Sequence, residues 1–335
     1  RTVSPVPHGS HPAGLFAPPP FGEYAYADDY PFIAESTDAH RLDDSSLAEW
    51  VQTRLLATPA PATIDHLRDW RHPAPAPAAD LDLEPTPEET MAASAGRLLA
   101  EIAAGEERPE FVLTGIGVSS LAAWLARDLA SAFPPLISEV GLYDYVPEPG
   151  NPFLFNFPNL ASVAGLTDTE TILGILVQGH GSSSLGVLAA GQLDRNGSIN
   201  STRTERGWIT GSGGANDIAS GTRRNVALVL HRPGRLVAEV DFVTSPGHHV
   251  AAIVTDRAVL ERRDGEFVLA GVVAAQGEDL EQVVRDVVAA TPWPIPVVRT
   301  VRRIAPPNGE ERRILRGYDP EGFILGSGSV ATKHP

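Results

Sequence analysis

The sequence predicts an α/β fold in which an open, mainly parallel sheet follows an irregular proline-rich N-terminal extension. Three observations carry this: short apolar runs alternate with helical periodicities, glycine turns follow such runs directly, and prolines crowd the N-terminal third. The 335 residues, 42% hydrophobic and 20% charged, provide material for a sizeable core. We divide them into an acidic arm, 1–85, and an α/β domain, 86–335.

Fourteen of the 30 prolines fall by residue 87, in runs such as Pro18-Pro19-Pro20 and Pro73-Ala74-Pro75-Ala76-Pro77. Proline fixes φ and removes a donor, which bars these stretches from helix interiors and central strands. Within the arm, 44–58 carries Ser45-Ser46 as a cap and Leu47, Trp50, Val51, Leu55 and Leu56 at helical spacing, predicting a short amphipathic helix. The arm either packs on its own domain or reaches a partner.

The domain opens at Thr86-Pro87-Glu88-Glu89, a capping box with proline at the first helical position. Met91, Ala95, Leu98, Leu99 and Ile102 share one face of the helix that follows, and Gly105 ends it. Glu110 to Thr114 reads as a buried strand, Gly115-Ile116-Gly117 as a tight turn, and Ser119 to Ala132 as an alanine-rich helix. Further strands are expected at Leu136 to Ser138, Thr171 to Val177, Asn225 to His231, Leu236 to Val243 and Val250 to Thr255. Asp264-Gly265 between two apolar runs predicts a hairpin. Residues 278–290 predict an amphipathic helix, and the chain from Thr291 is read as proline-rich and irregular.

Composition narrows the function. Every basic residue except Lys333 is arginine, and the net charge is −16, which argues against a nucleic-acid partner. No apolar run is long enough to span a membrane and residues 1–30 lack a secretory pattern, so a soluble, cytoplasmic protein is expected. With no cysteine, disulfides, catalysis by a cysteine thiolate and cysteine-ligated metals are excluded. His248 and His249 adjoin a strand, where neighbours face opposite ways, and no metal is expected.

Three segments can hold chemistry. Gly115 and Gly117 stand between a strand and a helix, where backbone N–H groups favour an anion, although a plain turn fits equally well. Ser138-Glu139-Val140-Gly141 places a carboxylate at the carboxyl end of a buried strand, the edge where ligands gather in open α/β sheets. Glu139 could there be base, metal ligand or covalent nucleophile. Trp208-Ile209-Thr210-Gly211-Ser212-Gly213-Gly214-Ala215-Asn216-Asp217-Ile218-Ala219-Ser220 lets backbone approach a ligand closely at its small residues, and its amides can hold an oxyanion. His180 and Ser138 are weaker pocket candidates.

Together these segments resemble the family I CoA-transferases, most closely the B-type subunits of glutaconate CoA-transferase-like enzymes. The likeness runs from about Thr86 to Gly326. It is strongest at Gly191-Gln192-Leu193-Asp194-Arg195-Asn196-Gly197-Ser198-Ile199-Asn200-Ser201-Thr202, at the 211–220 loop and at Val240-Asp241-Phe242-Val243-Thr244-Ser245-Pro246-Gly247, extended by Val254-Thr255-Asp256 and Asp319-Pro320-Glu321-Gly322. The resemblance implies a half-domain that pairs with an A-type subunit, with coenzyme A as cosubstrate. It implies Glu139 as the glutamate that forms an acyl anhydride and then a glutamyl-CoA thioester. It further implies Gly115, Gly117, Gln192, Gly213, Gly214, Ala215, Asn216 and Asp217 as contacts of the coenzyme or thioester oxygen. Ser198 and the Gly/Ser-rich 178–184 depart from the family pattern. The same fold also serves hydrolytic opening of CoA thioesters, and a non-catalytic subunit completing the site of an A-type chain is a further alternative.

Overall fold

The computed structural model describes residues 84–326 apart from 155–158, 160–161, 180–182 and 206. Residues 1–83 of the arm, with its expected helix at 44–58, and His180 lie outside the described residues. In chain order the elements are α1 (Pro87–Ala104), β1 (Val112–Thr114), α2 (Val118–Leu129), β2 (Leu136–Ser138), β3 (Leu142–Tyr143), β4 (Gly165–Leu166) and a π-helix (Glu170–Val177). There follow β5 (Leu185–Ala189), β6 (Gln192–Leu193), β7 (Ile199–Asn200), β8 (Arg203–Thr204), β9 (Gly207–Trp208), α3 (Ala215–Gly221) and β10 (Arg224–Leu228). The chain closes with β11 (Val250–Val254), β12 (Ala258–Arg263), β13 (Glu266–Val273), α4 (Leu280–Ala290), β14 (Val297–Ile304) and α5 (Gly309–Tyr318).

Ten strands form one sheet in the order β14-β13-β12-β11-β10-β5-β1-β2-β3-β4. The pairings β11-β10-β5-β1-β2 and β13-β14 are parallel, whereas β11-β12-β13 and β2-β3-β4 run antiparallel. Side chains alternate between two buried faces, as a covered parallel sheet requires. Val112, Leu136, Val187, Val226 and Val254 join Leu99, Leu121, Trp124 and Leu315 in one core. Leu113, Ile137, Leu188, Ala227 and Ile253 join Ile218, Leu260, Val287 and Trp293 in the other.

Helix α1 begins as its sequence dictates: Thr86 Oγ1 accepts from Glu89 N–H at 3.0 Å, and the Glu89 carboxylate accepts from Thr86 N–H at 2.8 Å. Thr86 Oγ1 also donates to the Leu325 carbonyl at 2.7 Å, tying the start of the domain to its end. There Asp319, fully buried, accepts from the N–H groups of Phe323, Ile324 and Leu325. The Asp264-Gly265 hairpin forms with positive φ at both residues, 51° and 88°.

Four expectations fail. Thr171 to Val177 is π-helix, not strand; a short apolar run carries no period of its own, and here Ile172 and Val177, five apart, are its buried residues. The central strand is instead β5. Leu236 to Val243 makes only isolated bridges, because side chains replace a ladder: Val240 N–H donates to Asp194 Oδ2 at 3.4 Å and Asp241 N–H to Gln192 Oε1 at 3.3 Å. The segment beyond Thr291 is not irregular, since it supplies edge strand β14 and α5, the latter capped by Asn308 and Glu311 in a second capping box. His248 and His249 lie in a turn, and their rings meet edge to face at 4.1 Å rather than pointing apart.

Candidate active site

Within the parallel strands, the connections leave β1 in opposite directions, toward β2 on one side and toward β5 and β10 on the other. The carboxyl ends of the strands at such a switch point open a crevice. Here the crevice is a cavity of about 440 Å³. Its walls are Thr114, Gly115 and Ile116 from the end of β1, Glu139 from the end of β2, Leu188 and Ala189 from β5, Ser201, and Thr210 to Ala215 with Ile218.

Glu139 is aimed into this cavity by the turn that follows β2. Gly141 adopts φ +98° and donates its N–H to the Ser138 carbonyl at 2.9 Å, while its own carbonyl accepts from Thr167 N–H. A Cβ at Gly141 would stand 1.9 Å from the Thr167 carbonyl oxygen, so only glycine fits. Opposite, the 211–214 loop closes on the carboxylate. Gly214 N–H donates to Glu139, and a Cβ at Gly214 would stand 1.8 Å from Glu139 Oε2. Burial pushes the Glu139 carboxyl above the usual carboxylate range; the Gly214 hydrogen bond opposes that and the nearby charge of Asp217 adds to it. The result is a half-buried, partly desolvated carboxylate held by a single backbone donor, a combination found where a carboxylate must act as nucleophile or base.

The structure brings together Glu139, Gly115, Gly213, Gly214 and Ala215, which all line the cavity. Gly117, at φ +104°, caps α2 just outside it, with open space where a Cβ would project. Asp217 faces Glu139 from the first turn of α3, and Asn216 beside it is exposed. Ala215 N–H is already bonded to the Ser212 carbonyl at 3.1 Å. Ser138 is fully buried inside β2 and Gln192 is 5% exposed in β6, and neither lines the cavity. Leu188 and Ala189 went unread because β5 itself was not expected, whereas Ser201 and Thr210 lie within the glycine-rich motifs. Among the described residues, no three His, Asp or Glu side chains cluster as a metal site would require, and no helix is long and apolar enough to cross a membrane.

No family model matches the chain. Over 229 residues it is 31% identical to the B-type subunit of 3-oxoadipate CoA-transferase from Pseudomonas knackmussii, a match covering 61% of this chain and 85% of that one. Among solved structures, glutaconate coenzyme A-transferase from Acidaminococcus fermentans superposes with a TM-score of 0.60 at 21% identity, covering 73% of this chain and 98% of that one. The decarboxylase AibA/AibB gives 0.56 at 20% identity over 73% and 100% of the two chains. IpdAB from Rhodococcus jostii gives 0.51 at 18% over 74% and 100%. At these identities the solved structures carry the fold.

Proposed function

The chain belongs to the family I CoA-transferases as a B-type subunit, and we propose that it moves coenzyme A between an acyl-CoA and a small carboxylic acid through a covalent thioester on Glu139. The observation that carries this reading is the Glu139 carboxylate itself, half-buried at a strand end and hydrogen-bonded by Gly214 N–H inside a 440 Å³ cavity.

In this reading Glu139 attacks the acyl carbonyl, forming an acyl-glutamyl anhydride and expelling the CoA thiolate. The thiolate returns to the glutamyl carbonyl, releases the first carboxylate and leaves glutamyl-CoA. An incoming carboxylate attacks that thioester, and the same two steps run in reverse. A free carboxylate is a weak nucleophile, so positioning and exclusion of water must supply the rate. The glycines at 115, 117, 213 and 214 let backbone donors approach the thioester oxygen and the coenzyme's anionic groups.

The partner in this reading is an A-type chain, since a curated relative is a B-type subunit and two of the solved structures, AibA/AibB and IpdAB, are pairs of unlike chains. An apolar rim beside the cavity supports it. Trp208 is 78% exposed, next to Ile209 and Thr210, and Arg203 opposite Trp208 in the β8–β9 hairpin stacks over Phe242 at 4.9 Å, with Val243 exposed alongside. A surface of this kind is what one subunit presents to another.

The experiment incubates the co-expressed complex with short acyl-CoAs, reduces with borohydride and maps peptides by mass. Reduction of the Glu139 thioester to an alcohol, dependent on acyl-CoA, is the expected result. Turnover with Glu139 unmodified would overturn the covalent route and leave the hydrolytic or accessory-subunit reading.

A further inference from the structure

We infer that Asn200 is a positioning residue, the centre of a buried hydrogen-bond network that delivers the 210–214 loop to Glu139. The inference rests on the reading of Glu139 as nucleophile.

Among the described residues, the chain between β5 and α3 is an excursion whose ladders are the two-residue pairs β6–β7 and β8–β9, with isolated bridges at Leu193 and Ile199. Pairs this short do not hold a loop in place by themselves. Side-chain amides and hydroxyls take over. Asn200, fully buried, donates from Nδ2 to Gln192 Oε1 at 2.7 Å and to the Arg203 carbonyl at 2.6 Å. Its Oδ1 accepts from Thr202 N–H at 3.0 Å and Arg203 N–H at 3.2 Å. Gln192 Oε1 also accepts from Asp241 N–H, and Thr244 Oγ1 accepts from Ser201 N–H at 2.9 Å and lies 2.8 Å from Thr202 Oγ1. The network thus fixes the backbone of Ser201 and Thr202 from both sides.

The returning chain is clamped onto those same two residues. Ile209 N–H donates to the Thr202 carbonyl at 2.8 Å and Thr210 N–H to the Ser201 carbonyl at 3.1 Å. Four residues on, Gly214 N–H meets the Glu139 carboxylate, where a Cβ would find no room. Asn200, Gln192 and Thr244 lie outside the cavity lining, so they act only through this loop. A loosened network would withdraw the Gly214 donor. Burial and Asp217, the charged group facing Glu139 from α3, would then hold the carboxyl protonated to higher pH.

The test follows the Glu139 carboxyl by 13C NMR in the full chain labelled at glutamate Cδ, its resonance assigned by its loss in Glu139→Gln. Asn200→Ala and Thr244→Val remove network bonds without adding charge, and Thr244→Ser keeps the hydroxyl. In both disrupting variants the proton affinity of Glu139 is expected to rise at least about threefold, with Thr244→Ser restoring the wild-type titration. In the complex with the A-type chain, the acid limb of kcat moves to higher pH and kcat falls while KM holds. Should Asn200→Ala fail to fold, the Thr244 pair carries the test. An unchanged Glu139 titration in folded Thr244→Val overturns the inference and leaves Glu139's role standing. Full transferase turnover by Glu139→Gln overturns the nucleophile reading instead.

Discussion

Gly214→Ala isolates the geometry of the proposed nucleophile, Glu139, from the stability of the fold. Gly214 sits at φ −77° and ψ 3°, a conformation alanine adopts freely, so the backbone is not strained by the change. The added methyl would lie 1.8 Å from Glu139 Oε2 and 3.0 Å from Glu139 Cδ, while Leu173 Cδ1 at 3.4 Å is in ordinary contact. To restore contact near 3.5 Å the carboxylate oxygen must move by roughly 1.7 Å. What yields is the end of a flexible side chain facing a cavity, so stability should change by no more than about 1 kcal/mol. A displacement of that size at a reacting atom costs about 100-fold in rate, or about 2.7 kcal/mol in the barrier. The assay pairs thermal unfolding of the chain with kcat and KM of its complex with the A-type chain. The expected result is a near-native melting temperature with kcat down about 100-fold and glutamyl-CoA no longer trapped by borohydride. Wild-type kcat in this variant would refute the placement of Glu139 against Gly214, and with it the reasoning from the loop.

Three further outcomes are expected. Glu89 is fully buried, with Arg316 Nε at 2.7 Å and Arg312 Nε at 3.6 Å, so Arg316→Met should destabilise the domain by about 3 kcal/mol, read by urea unfolding. His231 is held neutral, its pKa pushed down to about 4 by burial and by the charge of Arg257 against the pull of Asp256. The unfolded chain binds that proton below about pH 6.5, so this contribution is complete above pH 6.5 and is lost as pH falls toward 4, amounting to about 2 to 3 kcal/mol by pH 4.5; His231→Gln should flatten that part of the unfolding profile. Trp208→Arg, at a residue 78% exposed, should leave the melting temperature unchanged and weaken association with the A-type chain at least about tenfold, measured by titration calorimetry.

The parts of the fold that announced themselves were those set by local chemistry. The Thr86-Glu89 capping box and the Asp264-Gly265 turn act within three or four residues, and the structure places each where its sequence points. The parts that stayed hidden were set from a distance. Central strand β5 contains Gly186, a poor strand former, because the Asn225 side chain lies over it: a Cβ there would meet Asn225 Oδ1 at 2.0 Å. That asparagine in turn accepts from Thr222 Oγ1 and donates to the Ala219 carbonyl, finishing α3. Strand β14 reads as irregular because its arginines suit an edge, where Arg302 pairs with Glu261 at 2.7 Å and Arg303 reaches the Glu278 carbonyl.

The same division runs through the site. The place of Glu139 at the cavity was legible because a carboxylate at the carboxyl end of a buried strand stands at the edge where ligands gather in open α/β sheets, and Gly141 makes the turn that aims it there. Its partner Gly214 lies 75 residues away, and nothing local to that loop says which group it faces. What the loop does show is an absence of side chains, and an absence is informative only once the opposing atom is known: at Gly214 the missing Cβ is the space Glu139 fills, whereas at Gly117 it faces open space. Gln192 shows the complementary case. A polar residue in the motif is expected to contact the coenzyme, and here its Oε1 accepts from Asn200 Nδ2 and Asp241 N–H while the residue lies outside the cavity lining. Burial, which sequence spacing reports poorly for isolated polar residues, is what separates the motif residues that line the cavity from those that lie behind it.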